Sequence, residues 1–159
     1  MSDRNILFIV LDQWRADALG CAGNPLIRTP HLDAIAADGV LFARHFAQCA
    51  PCGPSRASLL TGQYQHNHGV MRNGTPLAAR FTNLALECRK AGYEPALFGY
   101  TDTAVDPARH APNDPALRSY EQVMPGFQTE LYLPERPLRW LAHLASHGHD
   151  FGNDPIDAY

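Results

Sequence analysis

Long apolar runs are missing from this chain of 159 residues. The strongest, Asn5 to Leu11 (NILFIVL), has roughly seven residues where a membrane helix needs about twenty, and no small-residue cleavage site follows it. The expectation is therefore a cytoplasmic protein with no membrane contact. A basic excess is missing too: thirteen Lys and Arg are scattered among sixteen Asp and Glu, for a net charge of -3. No basic face is on offer to a phosphate backbone, so nucleic acid is not an expected partner. Cysteine is scarce, with four residues at irregular spacing (Cys21, Cys49, Cys52 and Cys88), in a chain too large to need stapling. No low-complexity run argues for disorder. What is present, 45% hydrophobic and 18% charged residues, suffices to bury one core, so one globular domain or a large piece of one is expected.

The elements alternate along the chain. Asn5 to Leu11 is β-branched and continuously apolar, closed by Asp12, the pattern of a central parallel strand buried on both faces. RTPHLDAIAADG offers Thr29 as N-cap, Pro30 at the first helical position and Gly39 as the stop. Leu32, Ile35 and Ala36 fall on one face of that helix, which should pack on the sheet. Gly53 and Pro54 open a short helix ending at Gly62, with Cys52 just before it. TNLALECRKAG, Thr82 to Gly92, is a further capped helix, and PALFGY, Pro95 to Tyr100, a second strand. The segment 105–135 is broken into turns by Pro107, Pro112, Pro115 and Pro125. Residues 137–148 then carry Leu138, Leu141 and Leu144 on one side of an amphipathic helix. Strand, helix and strand at these lengths indicate an α/β sheet, but two parallel strands do not finish a domain.

Chemistry concentrates at two places. Asp12 and Gln13 fall at the carboxyl end of the first strand, where open α/β sheets bind ligands, and their oxygens suit a hard divalent cation; a lone Asp there equally caps a turn. The second place is CAPCGPSRASLLTG, Cys49 to Gly62. Its C-x-x-C pair suggests a redox couple or half a metal site, whereas C-x-P-S-R puts Cys52 at a helix N-terminus with Arg56 one turn on. There two or three free backbone N–H groups should converge on an anion, whether thiolate, sulfate or phosphate. His45, Cys49, Cys52 and His66 or His68 can be drawn as a zinc site, but their spacing fits no common finger. His143, His147 and His149, on or after the last helix, read as solvated.

CGPSRASLLTG resembles the sulfatase signature C-x-P-S-R with its following T-G, and NILFIVLDQWRAD resembles the opening strand of the same family. AGYEPALFGYTD, Ala91 to Asp102, is similar to the family's later active-site strand. The strings D-Q-W-R-A-D, C-G-P-x-R and G-Y-x-P-A-L-x-G-Y-T point to the phosphonate monoester hydrolase and phosphodiesterase branch, within the alkaline phosphatase superfamily. The resemblance implies the N-terminal part of a parallel-sheet sandwich with flanking helices, expected to be incomplete, and a hydrolase of sulfate esters, phosphonate monoesters or phosphodiesters. It implies that a formylglycine-generating enzyme oxidises Cys52 to formylglycine, whose hydrated aldehyde supplies one hydroxyl to attack sulfur or phosphorus and a second to expel the product. An ordinary serine cannot do the second step.

By the same resemblance Cys52 and Arg56 are catalytic, and Asp12, Gln13 and the oxidised Cys52 bind a divalent ion, calcium or manganese ahead of magnesium or zinc. Gln13 stands where many sulfatases have a second Asp. Asn73 matches a substrate-binding Asn, although N-G is equally a turn dipeptide. Tyr100 stands where many sulfatases have the lysine of G-K-W-H. Asp102 departs from the branch's usual Thr, and a carboxylate beside an anionic substrate is costly unless paired or metal-bound. The partners expected are a small anionic ester, the maturing enzyme and a second copy along an open sheet edge. Two other readings stand beside this one. One is a C-x-x-C thiol-disulfide protein; the other is a non-catalytic fragment, because in the family the remaining metal ligands come from a later half of the chain.

Overall fold

Pro30 and Gly39 bound the first helix and Gly62 closes the second, as expected, in the computed structural model of the protein, which describes residues 4–133 and 138–151. The chain groups into two compact units that divide between Ala47 and Gln48.

In the first unit, α1 runs Pro30–Asp38, with Pro30 at its first turn and Gly39 closing it. Thr29 is the N-cap residue, but its side chain makes no capping bond to this helix. Its hydroxyl accepts from the Gly20 N–H at 2.8 Å and donates to Asp33 Oδ1 at 2.8 Å, and the same carboxylate oxygen accepts from the Cys21 N–H at 2.7 Å. These bonds fasten the tight turn Gly20–Ala22 against α1 and hold the Asp33 carboxyl below its ordinary pKa. Gly20 is required there, because a Cβ would lie 2.4 Å from Asp33 Oδ2.

The expected central strand is absent: residues 5–11 carry no strand pairing, and Leu7 is 85% exposed. A parallel strand gets its burial wholly from neighbours on both edges and helices on both faces, and the described residues of this unit supply neither. The apolar face of α1 correspondingly meets no sheet. Leu32, Ile35 and Ala36 line an open hollow with Leu11 and Trp14.

The second unit contains α2 (Cys52–Thr61), α3 (Gln65–His68), α4 (Leu84–Lys90), β1 (Ala96–Gly99), β2 (Gln128–Tyr132) and α5 (Leu138–Ser146). β1 and β2 pair in parallel, Ala96 opposite Gln128 and Gly99 opposite Tyr132, with a register irregularity after Leu97. β1 is the expected second strand. β2 lies inside the segment read as loops; QTELY is mostly polar and half-exposed, so no hydrophobic run announces it. Asp106 and Asp114 explain the turns between the strands, since each caps a short proline-led turn with its carboxylate.

Asn83, not Thr82, caps α4: its Oδ1 accepts from the Leu86 N–H at 3.1 Å, and its Nδ2 donates to the Pro125 carbonyl at 3.0 Å. The cap thus ties α4 to the loop leading into β2. Gly126 (φ 96°) makes that approach feasible, because a Cβ would sit 3.0 Å from the Leu86 nitrogen. α5 falls within the expected 137–148, although Pro137 lies outside the described residues. No helix among the described residues is long and apolar enough to cross a membrane.

Candidate active site

Cys52 is the first residue of α2, preceded by Pro51 in extended conformation, and the helix is closed by Gly62 in the left-handed region. The Gly53 N–H donates to Asn73 Oδ1 at 2.9 Å, Pro54 has none, and the Ser55 N–H makes the helix's own bond to the Pro51 carbonyl at 3.1 Å. Of the N–H groups expected to converge on an anion, that of Gly53 is therefore taken by Asn73. Asn73 uses both ends of its amide, since Nδ2 donates to Cys52 Sγ at 3.0 Å. Gly53 is fixed by the same contact, because a Cβ would lie 3.0 Å from Asn73 Oδ1 and 3.4 Å from the Asp102 carbonyl oxygen.

The thiol is not poised as a thiolate. Burial pushes the Cys52 pKa up, the Asp102 carboxylate beside it pushes the same way, and the Asn73 hydrogen bond only partly opposes them. All four cysteines are free, and the Cys49 sulfur lies 3.6 Å from Ser58 Oγ.

Arg56 stands one turn along α2, where its Nη1 donates to the Tyr100 carbonyl at 3.2 Å and its guanidinium lies 5.0 Å from the centre of the Tyr100 ring. Tyr100 thus positions a cation instead of supplying one. Tyr100 and Asp102 follow β1 directly, and Thr101 between them anchors the segment. Thr101 donates from its hydroxyl to the Gln122 carbonyl at 2.8 Å and accepts from the Met124 N–H at 2.9 Å. Asp102 is 3% exposed with φ 54°, and its Oδ2 has no hydrogen-bond partner among the described residues.

The second unit therefore brings together Cys52, Arg56, Asn73, Tyr100 and Asp102. Asp12 and Gln13 belong to the first unit, at the end of the extended run, with Gln13 left-handed at φ 52°.

One buried network escaped sequence reasoning. His68 Nδ1 accepts from the Val70 N–H at 3.0 Å, which leaves the proton on Nε2 to donate to Ser58 Oγ at 2.8 Å. An imidazole in that tautomer cannot take the serine proton, so the pair braces α2 against α3 and is no nucleophile-base couple. Histidine within QHNHG gave no spacing signal, because the partner serine is ten residues away on another helix.

Comparison with known proteins decides the lineage. The Sulfatase family profile matches residues 4–133. The chain belongs to the sulfatase family. Within the alkaline phosphatase superfamily, this sulfatase-family chain is 42% identical over 134 residues to PehA of Trinickia caryophylli, a multifunctional alkaline phosphatase superfamily protein. The match covers 81% of this chain and 26% of PehA. The phosphonate monoester hydrolase of Agrobacterium radiobacter superposes with a TM-score of 0.82 at 55% identity, over 92% of this chain and 28% of that one. The phosphonate monoester hydrolase of Silicibacter pomeroyi gives a TM-score of 0.81 at 50% identity, over 95% and 30%. The chain thus spans between a quarter and a third of the length of these relatives. Its α/β character is that of a sulfatase-family N-terminal region, and the three sequence blocks fall within the matched residues.

Proposed function

We propose that the chain carries the nucleophile region of a hydrolase acting on sulfate esters, phosphonate monoesters or phosphodiesters, with Cys52 matured to formylglycine. The observation that carries this reading is the placement of Cys52: it heads α2, is held by Asn73 Nδ2 at 3.0 Å, is kept as a thiol by burial and Asp102, and has Arg56 one turn away. A half-buried thiol of raised pKa does not suit a redox couple, which needs an accessible thiolate.

In the matured side chain one hydroxyl of the hydrated aldehyde attacks sulfur or phosphorus, and the ester's alcohol leaves with the bonding electron pair. Arg56, braced by Tyr100, stabilises charge on the equatorial oxygens. The second hydroxyl then loses its proton, its oxygen re-forms the carbonyl, and the bond from the same carbon to the sulfate or phosphonate oxygen breaks. Water does not have to attack a crowded centre.

Sulfatase-family enzymes generally use a divalent metal as well as formylglycine. The Asp12 carboxylate and Gln13 amide, adjacent in the first unit, offer oxygen of the kind a hard ion takes. Calcium or manganese held there would supply Lewis-acid stabilisation of developing negative charge.

With Tyr100 in place of a lysine and a carboxylate at Asp102, singly charged esters should be accepted better than dianionic phosphate monoesters. Peptide mass spectrometry of protein co-produced with a formylglycine-generating enzyme tests the reading. Cys52 should show sulfur replaced by oxygen with two hydrogens lost, and Cys49 should be unchanged. An unconverted Cys52 together with a reversible Cys49 to Cys52 disulfide would overturn it.

A further inference from the structure

His143, His147 and His149 read as solvated in the sequence, but the structure draws two of them together. The ring centres of His143 and His147 lie 4.3 Å apart, with the planes tilted by 45°, at the C-terminal end of α5. The backbone beneath them is closed. Gly148 stands in the left-handed region at φ 86°, and its N–H donates to the Ala145 carbonyl at 3.0 Å. The His149 N–H reaches back to the Leu144 carbonyl at 3.1 Å. This pair of bonds is how a helix ends on a left-handed glycine, and it fixes His147 as the last residue before the chain turns away. Each ring is held as well. That of His143 stacks on Trp140, with centres 5.6 Å apart and planes at 22°. His147 Nδ1 lies 2.9 Å from the His143 carbonyl oxygen, which can only accept, so Nδ1 carries a proton and Nε2 is the nitrogen left to offer a lone pair.

A ring N–H bonded to a backbone carbonyl is what orients a metal-binding histidine, because it fixes the tautomer and makes the opposite nitrogen more basic. Stacking occupies the face of the His143 ring and leaves its nitrogens at the edge. In tetrahedral zinc binding at about 2.0–2.1 Å, two imidazole centres sit about 5 Å apart, so these rings need to part by less than about 1 Å to take an ion between them. The charge of the place agrees, since the last carbonyls of a helix are its negative end. Arg139, one turn before His143, is drawn off, with its guanidinium 5.2 Å from the centre of the Tyr132 ring. We propose that His143 and His147 clamp a borderline divalent cation, zinc or a metal of like preference, through ring nitrogens, unlike the hard-ion oxygen donors Asp12 and Gln13. Among the described residues no third His, Cys, Asp or Glu joins them. Two positions of a tetrahedral shell therefore stay open to water, and the ion is exchangeable.

The test is a titration of the full chain with zinc chloride, in excess calcium to occupy oxygen sites, followed by NMR of the histidine ring signals. Zinc should move the signals of His143 and His147 together in one step, with the other histidines following only at higher concentration. His143→Phe keeps a ring on Trp140, and His147→Gln keeps an amide that can donate to the His143 carbonyl. Each should weaken the affinity read at the remaining ring by at least about tenfold, the loss that even an outer partner of a ligand commonly causes. His149→Ala should leave it unchanged. Should His143→Phe lose α5, the wild-type signals and His147→Gln still decide. Zinc that moves neither ring ahead of the other histidines, or binds equally well in all three variants, overturns the clamp. The result does not depend on whether Cys52 is converted, so it stands or falls apart from the hydrolase reading.

Discussion

Among the described residues, the buried apolar side chains all belong to the second unit. In the first, Ile6, Leu7, Phe8 and Ile9 are 70, 85, 55 and 64% exposed, although they form the most hydrophobic stretch of the sequence. In the second, Ala57, Val70, Ala85 and Met124 are at most 3% exposed. The difference lies in where burial comes from. The cradle around Cys52 is assembled from a helix head, the turn carrying Asn73 and the segment after β1, and each piece is fastened by named hydrogen bonds to another piece of the same unit. The run at residues 5–11 has no such local means. A central parallel strand is buried by what surrounds it, so its sequence can be strongly hydrophobic while the unit that contains it leaves it open.

The sharpest way to break that comparison is to attack the cradle chemically. In matured protein that turns over ester substrate, Cys52→Ser should abolish steady-state hydrolysis, a loss of at least about 10³-fold, because a serine ester has no second hydroxyl with which to expel the product. Arg56→Ala should cost about 10²- to 10³-fold in kcat, the usual worth of one positioned oxyanion donor. Steady-state rates on an aryl phenylphosphonate and an aryl sulfate check both. Sustained turnover by Cys52→Ser would remove the need for a two-hydroxyl nucleophile.

A smaller effect sharpens the contrast in packing. Val70→Ala, at a site 2% exposed, should destabilise the protein by about 2 kcal/mol, whereas Ile9→Ala, at 64% exposed, should stay within about 0.5 kcal/mol. Urea midpoints give both numbers. An equal cost at Ile9 would show that the strand is covered in solution, and light scattering on the same sample would tell whether a second copy covers it.

What was legible in the sequence follows the same division. Residues whose partners lie close along the chain, or whose backbone role is dictated by residue type, were readable: Pro30 and Gly39 around α1, Gly62 after α2, the strand at Ala96–Gly99, and C-x-P-S-R on a helix. Asn73 was balanced between turn and site, and the structure shows it doing both, since the turn delivers its amide to Cys52. β2 was not readable, because a mostly polar edge strand has no periodic signature. The engagement of the Gly53 N–H by Asn73 was not readable either, for it depends on a contact twenty residues away. Asp102 was noticed as a departure, but the burial of its Oδ2 with no hydrogen-bond partner among the described residues is a property of packing alone.

The smallest expected effect tests the brace that holds the cradle. His68 is 5% exposed, and burial holds its pKa below the ordinary 6.5. Charging it would put a second proton on Nδ1, where the Val70 N–H already donates at 3.0 Å, and would strand that backbone group. The unfolded chain has no such restraint and takes up the proton as pH falls through about 6.5. Below that pH the unfolded state binds more protons than the folded one, so the contribution of His68 is fully present above about 6.5 and is lost as pH falls toward its depressed folded value. The slope for one proton cannot exceed about 1.4 kcal/mol per pH unit. Asp106 and Asp114, whose carboxyls hydrogen bonds hold below their ordinary range, act at more acid pH, and comparison with a His68 variant isolates the imidazole. Urea midpoints between pH 7.5 and 5.5 should therefore fall for the wild type and fall less for His68→Gln, which can keep the hydrogen bond to Ser58 without titrating. Equal slopes would mean that the ring is not held neutral, and the brace between α2 and α3 would then have to rest on packing around Ala57, Leu60 and Val70 instead.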